Sequence, residues 1–296
     1  MRESNMKRLM ACAMAVVLAC GLSPMTALAA GPGGAGGGSN TSTYDYTGTY
    51  SGALVANGTN VTSSGKSYTA STADQNAALC ENAGTLTIVG DTFSKSGDDT
   101  NGDNCNFYGC NSILLGVNSG STTYVSDSSL SATSQGSNGI FATDSATVNA
   151  NNDTISTTSS NSRGLDATYD GTIIANLMSI TTQADHCAAL ATDRGGGNIS
   201  CTNSSTLSTA GSGSPLIYST GDIEVDGCEG TASGSQIAGM EGLNNILIYN
   251  STLSSTCNKT SGSDPVKDGV ILYQSTSGDA DTSTGSAARF DVCDST

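Results

Sequence analysis

Two stretches of this sequence carry residue types that could move protons on a substrate. The first is "RGLDATYD", with Arg163, Asp166 and Asp170. The second is "TDRGGG", with Asp193 and Arg194. Carboxylates beside an arginine are groups that can pass a proton to or from a bound substrate. Two facing carboxyls, such as Asp166 and Asp193, are the equipment for hydrolysing a glycosidic bond. If the chain is an enzyme, Arg163, Arg194, Asp166, Asp170 and Asp193 are the residues to carry it. His186 is the sole histidine and follows Asp185 at a turn, which reads as a surface position rather than a base. No Ser-His-Asp arrangement is present.

Acidic residues also raise the question of a metal. Asp144, Asp170 and Asp193 recur at one corner of successive repeats, with Glu81 and Glu241 near the same edge. Stacked carboxylates repel unless a cation lies among them. Arg194 can serve, or Ca²⁺ with six to eight oxygen ligands. "GDDTNGDN" holds Asp98, Asp99, Asn101 and Asp103, a calcium-loop opening without the later Gly and Glu. Asp279 and Asp281 in "SGDAD" form a third acidic group. Calcium is the cofactor these groups admit; solvated turn acids are the competing reading.

The elements that must position these residues repeat. "NAALCE", "NSILLG", "NGIFAT", "RGLDAT", "CAALAT", "SPLIYS", "QIAGME" and "DGVILY" are short strand-like runs, recurring about every 25 residues. A second strand follows most of them, with a column of Phe93, Leu130, Ile155, Ile180, Leu207 and Leu253 broken by Gly230. Five residues earlier stand Ile88, Val125, Ala150, Ala175, Thr202, Val225 and Ile248. The alternation has period two, so these are strands. Such a repeat cannot bury its apolar face alone, and stacking the repeats in parallel makes one core. The expected fold is all-β: a right-handed parallel β-helix, a single-stranded solenoid of about eight coils. Asn151, Asn176 and Asn203, followed by Asp226, suggest an amide ladder between coils. In register, the three glycines after Arg194 are a corner supplying positive φ, and a strand follows them. A phosphate-binding loop would lead into a helix.

Composition agrees with an exported chain. Of 296 residues only 12% are charged, the net charge is −16, and no basic cluster invites nucleic acid. Lys7 and Arg8, an apolar run and Ala27-Leu28-Ala29 mark residues 1–29 as a secretory signal. "VLAC" ending at Cys20 offers a lipoprotein alternative. Residues 30–49 read as a flexible Gly/Ser/Thr-rich linker and 50–296 as the β-helix, with no second membrane-length apolar run. The last repeat stops just as its second strand begins, as in a truncated solenoid, and whether a cap or anchor follows stays open. Cys80, Cys105, Cys110, Cys187, Cys201, Cys228, Cys257 and Cys293 remain, an even number that suggests disulfides in an exported protein.

On "RGLDATYDGTI", "AALATDRGGGNI", "GSGSPLIYSTGDI" and "ILYQSTSGDAD" the chain resembles secreted right-handed parallel β-helix proteins of the pectate-lyase-like superfamily. Within that superfamily it resembles an adhesin-like, carbohydrate-binding group of gut and anaerobic bacteria. The resemblance spans roughly residues 50 to 296 and implies a glycan partner; the many cysteines depart from it. Leu79, Leu114, Phe141, Leu190, Ile217 and Ile271 make the first strand apolar on both faces, so its outer face is either covered by a loop or exposed for docking. With no Trp, the sugar platforms are tyrosines: Tyr124 and Tyr169 are the candidates, and Tyr218 reads as core. The function expected is a secreted or cell-surface module that binds glycans or host or plant polysaccharide surfaces without catalysis. A calcium-dependent lyase or glycoside hydrolase on acidic polysaccharide is the alternative, and a passive stalk the third.

Overall fold

The structure is a computed structural model that describes residues 43–260, 267–273 and 287–296. The signal segment, most of the linker, Asp279 and Asp281 lie outside the described residues. Among the described residues twenty-six strands, β1 to β26 in chain order, build three parallel sheets. The first sheet runs from β1 (Gly52–Asn57) to β25 (Val270–Tyr273), the second from β2 (Asn60–Ser64) to β26 (Arg289–Cys293), and the third from β3 (Ser67–Ala70) to β24 (Thr252–Ser255). Every third strand returns to the same sheet, so the chain winds as a solenoid of about eight turns. Among the described residues no helix is long and apolar enough to cross a membrane.

The columns read from the sequence are the core. Phe93, Leu130, Ile155, Ile180, Leu207, Gly230 and Leu253 are register partners along the third sheet and point inward. Each fully buried member contributes about 1.5–3 kcal/mol. In the second sheet Ala175 pairs with Cys201, which in turn pairs with Val225, so the core column passes through Cys201 rather than Thr202. The cause is an extra bend residue. Asn203 and Ser204 both take positive φ, and counting five back from Leu207 falls one short. The same slip moves the amide column: Asn151 pairs with Asn176 and Asn176 with Thr202, yet the Asn203 amide still donates to Asn176 Oδ1 at 2.8 Å.

A second ladder runs along the bend between the second and third sheets. There a side chain of one coil accepts from the backbone N–H of the coil before it. Lys66 N–H donates to Asp91, Asp91 N–H to Ser128, Ser128 N–H to Asp153, and Met178 N–H to Ser205. Cys228 N–H donates to Ser251, and Ser251 N–H to Ser295. A parallel ladder before the first sheet links Ser137 to Ser162, Ser162 to the Cys187 sulfur, and Cys187 to Ser214. These bonds satisfy buried backbone donors that no strand can reach.

The ladders correct the disulfide expectation: all eight cysteines named above are free thiols. Cys187 and Cys228 occupy positions that serine fills in neighbouring coils, and Cys201 occupies the core column of the second sheet. Small, weakly polar sulfur fits such sites as an apolar hydroxyl substitute.

Candidate functional site

The outer face of the first sheet carries the site. Its outward column runs through Leu79, Leu115, Phe141, Asp166, Ala191 and Tyr218. This corrects the sequence register, which grouped Leu114, Leu190 and Ile217 with Leu79; those three point into the core. It also takes Tyr218 out of the core: its hydroxyl donates to Glu241 Oε2 at 2.8 Å.

The apolar half of this face is covered. Leu79, Leu115, Val117 and Phe141 form their own buried cluster, under Tyr44 and Tyr50. Residues 43–50 therefore pack against the solenoid rather than serving wholly as linker. The helix α1 (Gly102–Tyr108) forms the rest of the cover. Asn101 caps it, its side chain accepting from the N–H groups of Asp103 and Asn104. Gly109 ends it at φ 75 and lies where a Cβ would stand 2.5 Å from Leu115 and 2.7 Å from Phe141, so both conformation and space demand glycine. Sequence reasoning missed this helix, because seven residues are too few to show a helical period. Its signal was Asn101 followed seven residues past Gly102 by Gly109, a cap at each end.

α1 explains the acidic loop that suggested calcium. Asp98 accepts from Gln135 N–H at 2.9 Å, Asp103 sits in the helix's first turn, and Asp99 lies against Gly136. These are the fastenings of a capped helix.

Beside α1 the structure gathers Arg163, Asp166 and Asp193. Arg163 Nη1 lies 3.1 Å from Asp166 Oδ2, and Nη2 lies 3.1 Å from Asp193 Oδ2. Nη1 also donates to Asn106 Oδ1 on α1 at 3.1 Å. Asp166 is fully buried, and its Oδ1 has no hydrogen-bond partner. Burial pushes its carboxyl up to about 8; Arg163 opposes the shift and Asp193 adds to it. Burial works against the Arg163 charge, but Asp166 and Asp193 outweigh it and hold the guanidinium above its usual value. Arg194 stacks its guanidinium 3.6 Å over the Phe107 ring. Thr168 donates to the Phe107 carbonyl, Asn138 to that of Cys105, and Asn76 to that of Gly109. Side chains from several coils thus grip one short helix.

Asp170 stands apart from this group. The corner bonds Ser145 N–H to Tyr169 O and Asp170 N–H to Gly196 O place Asp170 in a column with Ser145 and Gly196. Asp144 aligns instead with Tyr169 and Gly195, and Asp193 turns onto the first sheet with Arg163. The expected row of Asp144, Asp170 and Asp193 is therefore not one row. Asp144 accepts from the Asn118 amide, and burial together with Asp144 raises the Asp170 carboxyl. Glu81 accepts from Asn57 and Glu241 from Tyr218. Among the described residues no three His, Cys, Asp or Glu side chains come together as a metal-binding group. The glycine corner is as expected, with Gly195 and Gly196 at φ 72 and 65 and Gly197 opening β17 (Gly197–Thr202). His186 is exposed at a left-handed corner.

The two tyrosines divide. Tyr124 is 41% exposed on the outer face of the second sheet, paired with Thr87 and Asn149. Tyr169 is 4% exposed, stacked on Tyr108 at 5.6 Å and edge-on to Tyr44. Its ring belongs to the cover over the first sheet, so it offers no platform to a sugar.

No family model, no curated protein and no solved structure matches this chain. The solenoid and its surfaces must speak for themselves.

Proposed function

We propose that this chain is a secreted or cell-surface β-helix that binds glycans, on host or plant polysaccharide surfaces, as an adhesin-like module without catalysis. It is read as a member of the adhesin-like β-helix group that its repeats resemble. The observation that carries the proposal is how the outward side chains are used. The Arg163–Asp166–Asp193 group, the one with acid–base capacity, is buried and engaged in holding α1. A polymer has no path to Asp166 while that helix is in place. The second and third sheets instead present rigid rows of hydroxyl and amide side chains, with Tyr124 among them. A preorganised polar surface loses little entropy when an extended polymer settles on it.

The test is a polysaccharide panel, plant and mucosal, incubated with the protein with and without Ca²⁺. Retention on the polymer and the release of unsaturated or reducing ends are read together. Retention without product, unchanged by EDTA, is expected. Product that EDTA abolishes would replace this reading with a calcium-dependent lyase or hydrolase. No retention on any polymer would leave a passive stalk.

A further inference from the structure

The outer face of the third sheet is chemically uniform in a way the other two are not. The outward column through Thr69, Ser94, Ser131, Ser156 and on to Ser254 is Ser or Thr at every strand. The column two residues earlier, from Ser67 to Thr252, is Ser or Thr everywhere except Glu229. The whole chain carries 26 acidic and 10 basic residues, yet Glu229 is the one charge on these two columns. The second sheet, by contrast, places Asp222, Glu224, Asp226 and Asp291 on its outer face.

Folding does not require this pattern. Strands favour threonine and the β-branched and aromatic residues, and serine is not among them. Serine at Ser94, Ser156, Ser208 and Ser254 keeps the face level and leaves hydroxyls pointing out. Those of Ser94, Ser156 and Ser208 make no hydrogen bond within the described residues. Each offers one donor and two acceptors.

We infer that this hydroxyl face of the third sheet is the contact surface of the glycan-binding activity proposed above, and that its partner is an uncharged polysaccharide. The inference rests on that proposal. Its charge logic is direct. An acidic polymer meets no cation on this face and is repelled by a chain of net charge −16. A neutral sugar chain carries the same hydroxyl donors and acceptors as the face itself. Each such hydrogen bond replaces one made to water and nets little, so one sugar does not stay bound. A long chain does, because eight strands spaced about 4.8 Å apart give it roughly 34 Å of contact. Affinity is therefore expected to climb steeply with polymer length.

The test uses the full chain in native affinity gels and pull-downs at physiological salt. The probes are cellulose, galactomannan, short oligosaccharides cut from them, and polygalacturonate. Ser156→Asp and Ser208→Asp each place a carboxylate on the hydroxyl face. Asn149→Asp places one on the second sheet, and Tyr124→Ala removes its aromatic ring. Circular dichroism melts confirm that each variant is folded. The expected result is binding to a neutral polymer, not to its short fragments or to polygalacturonate. Ser156→Asp or Ser208→Asp should lose at least tenfold in affinity, and each should lose more than Asn149→Asp or Tyr124→Ala. If Tyr124→Ala or Asn149→Asp abolishes binding and the serine variants do not, the contact surface is the second sheet; this inference then fails and the glycan-binding proposal stands. Binding to polygalacturonate alone overturns the uncharged partner. A dimer in sedimentation that Ser156→Asp dissolves would assign the face to a second copy. A parent chain that binds no polymer defeats both readings.

Discussion

Replacing Arg163 by methionine tests whether the buried charge cluster is structural. Methionine keeps much of the side-chain volume and removes the cation. Asp166 and Asp193 then face each other with no guanidinium between them, and Asn106 loses the donor that ties α1 to the sheet. Removing one partner of a buried ion pair costs about 3–5 kcal/mol. Asp166 softens the loss, because burial already raises its carboxyl against the pull of Arg163, and without that cation it takes up a proton. The lower end, about 3 kcal/mol, is the value expected at pH 7. In a domain of this size 1 kcal/mol moves Tm by about 2–4 °C, so the melt should fall by about 6–12 °C. Far-UV circular dichroism reads the solenoid, and near-UV dichroism reads the Tyr108–Tyr169 stack beside α1. The near-UV signal should be lost at or before the far-UV transition. Arg163→Lys, which keeps a charge but cannot fork to two carboxylates and an amide, should fall between. An Arg163→Met protein that melts within 2 °C of the parent, with its tyrosine signal unchanged, would refute the structural reading and return Arg163 to the list of catalytic groups.

Other predictions follow from the ladders and corners. Burial pushes the Asp153 carboxyl to about 7, against two backbone N–H bonds that lower it. The folded state then holds a proton that the unfolded chain releases near 3.9. Stability should therefore fall as pH rises from about 4 to 7 and level off above. Asp153→Ser, the residue that Ser128 and Ser205 supply at the same position in nearby coils, should remove that slope in urea titrations at each pH. Leu177 sits at φ 55 in a column shared with Asp127, Asn152 and Gly227, and its side chain is 48% exposed. Leu177→Asn should raise stability by about 1 kcal/mol, read as a higher Tm; no change would mean the left-handed strain is absorbed elsewhere. Cys293 is the one exposed thiol among the eight described. A thiol reagent should modify it quickly in the native protein, and Cys293→Ser should remove that fast phase while the other seven wait for unfolding.

Much of the architecture was legible because a solenoid repeats its own address. The inward column from Phe93 to Leu253 could be aligned from sequence alone, since each coil returns the same residue to the same place. The alignment failed where the chain spends an extra residue on a bend, and Thr202 took the place that belongs to Cys201. The first sheet misled for a different reason. With apolar residues on both faces, nothing in Leu114-Leu115 says which one points inward; that is settled only by α1, Tyr44 and Tyr50 lying over the other side. The site residues were legible as a group and not as a role. Arg163, Asp166 and Asp193 do meet, but their work depends on Asn106, which lies 57 positions from Arg163 in a helix outside the repeat. Tyr169 was misjudged likewise, because its stacking partner Tyr108 belongs to that same helix.

The ladders along the bends also bear on how such a chain can change length. Each rung joins one residue to its equivalent in the next coil, so away from the coil of Met178, which brings no acceptor of its own, the pattern has translational symmetry. A duplicated coil would arrive with its donor and acceptor already matched to both neighbours, extending the hydroxyl face by one strand. A partial duplication would break the rungs and turn the inward column outward together. Copy number of whole coils is thus a property that recombination can alter without redesigning the protein, and the reach of its surfaces changes with it in steps of one strand spacing.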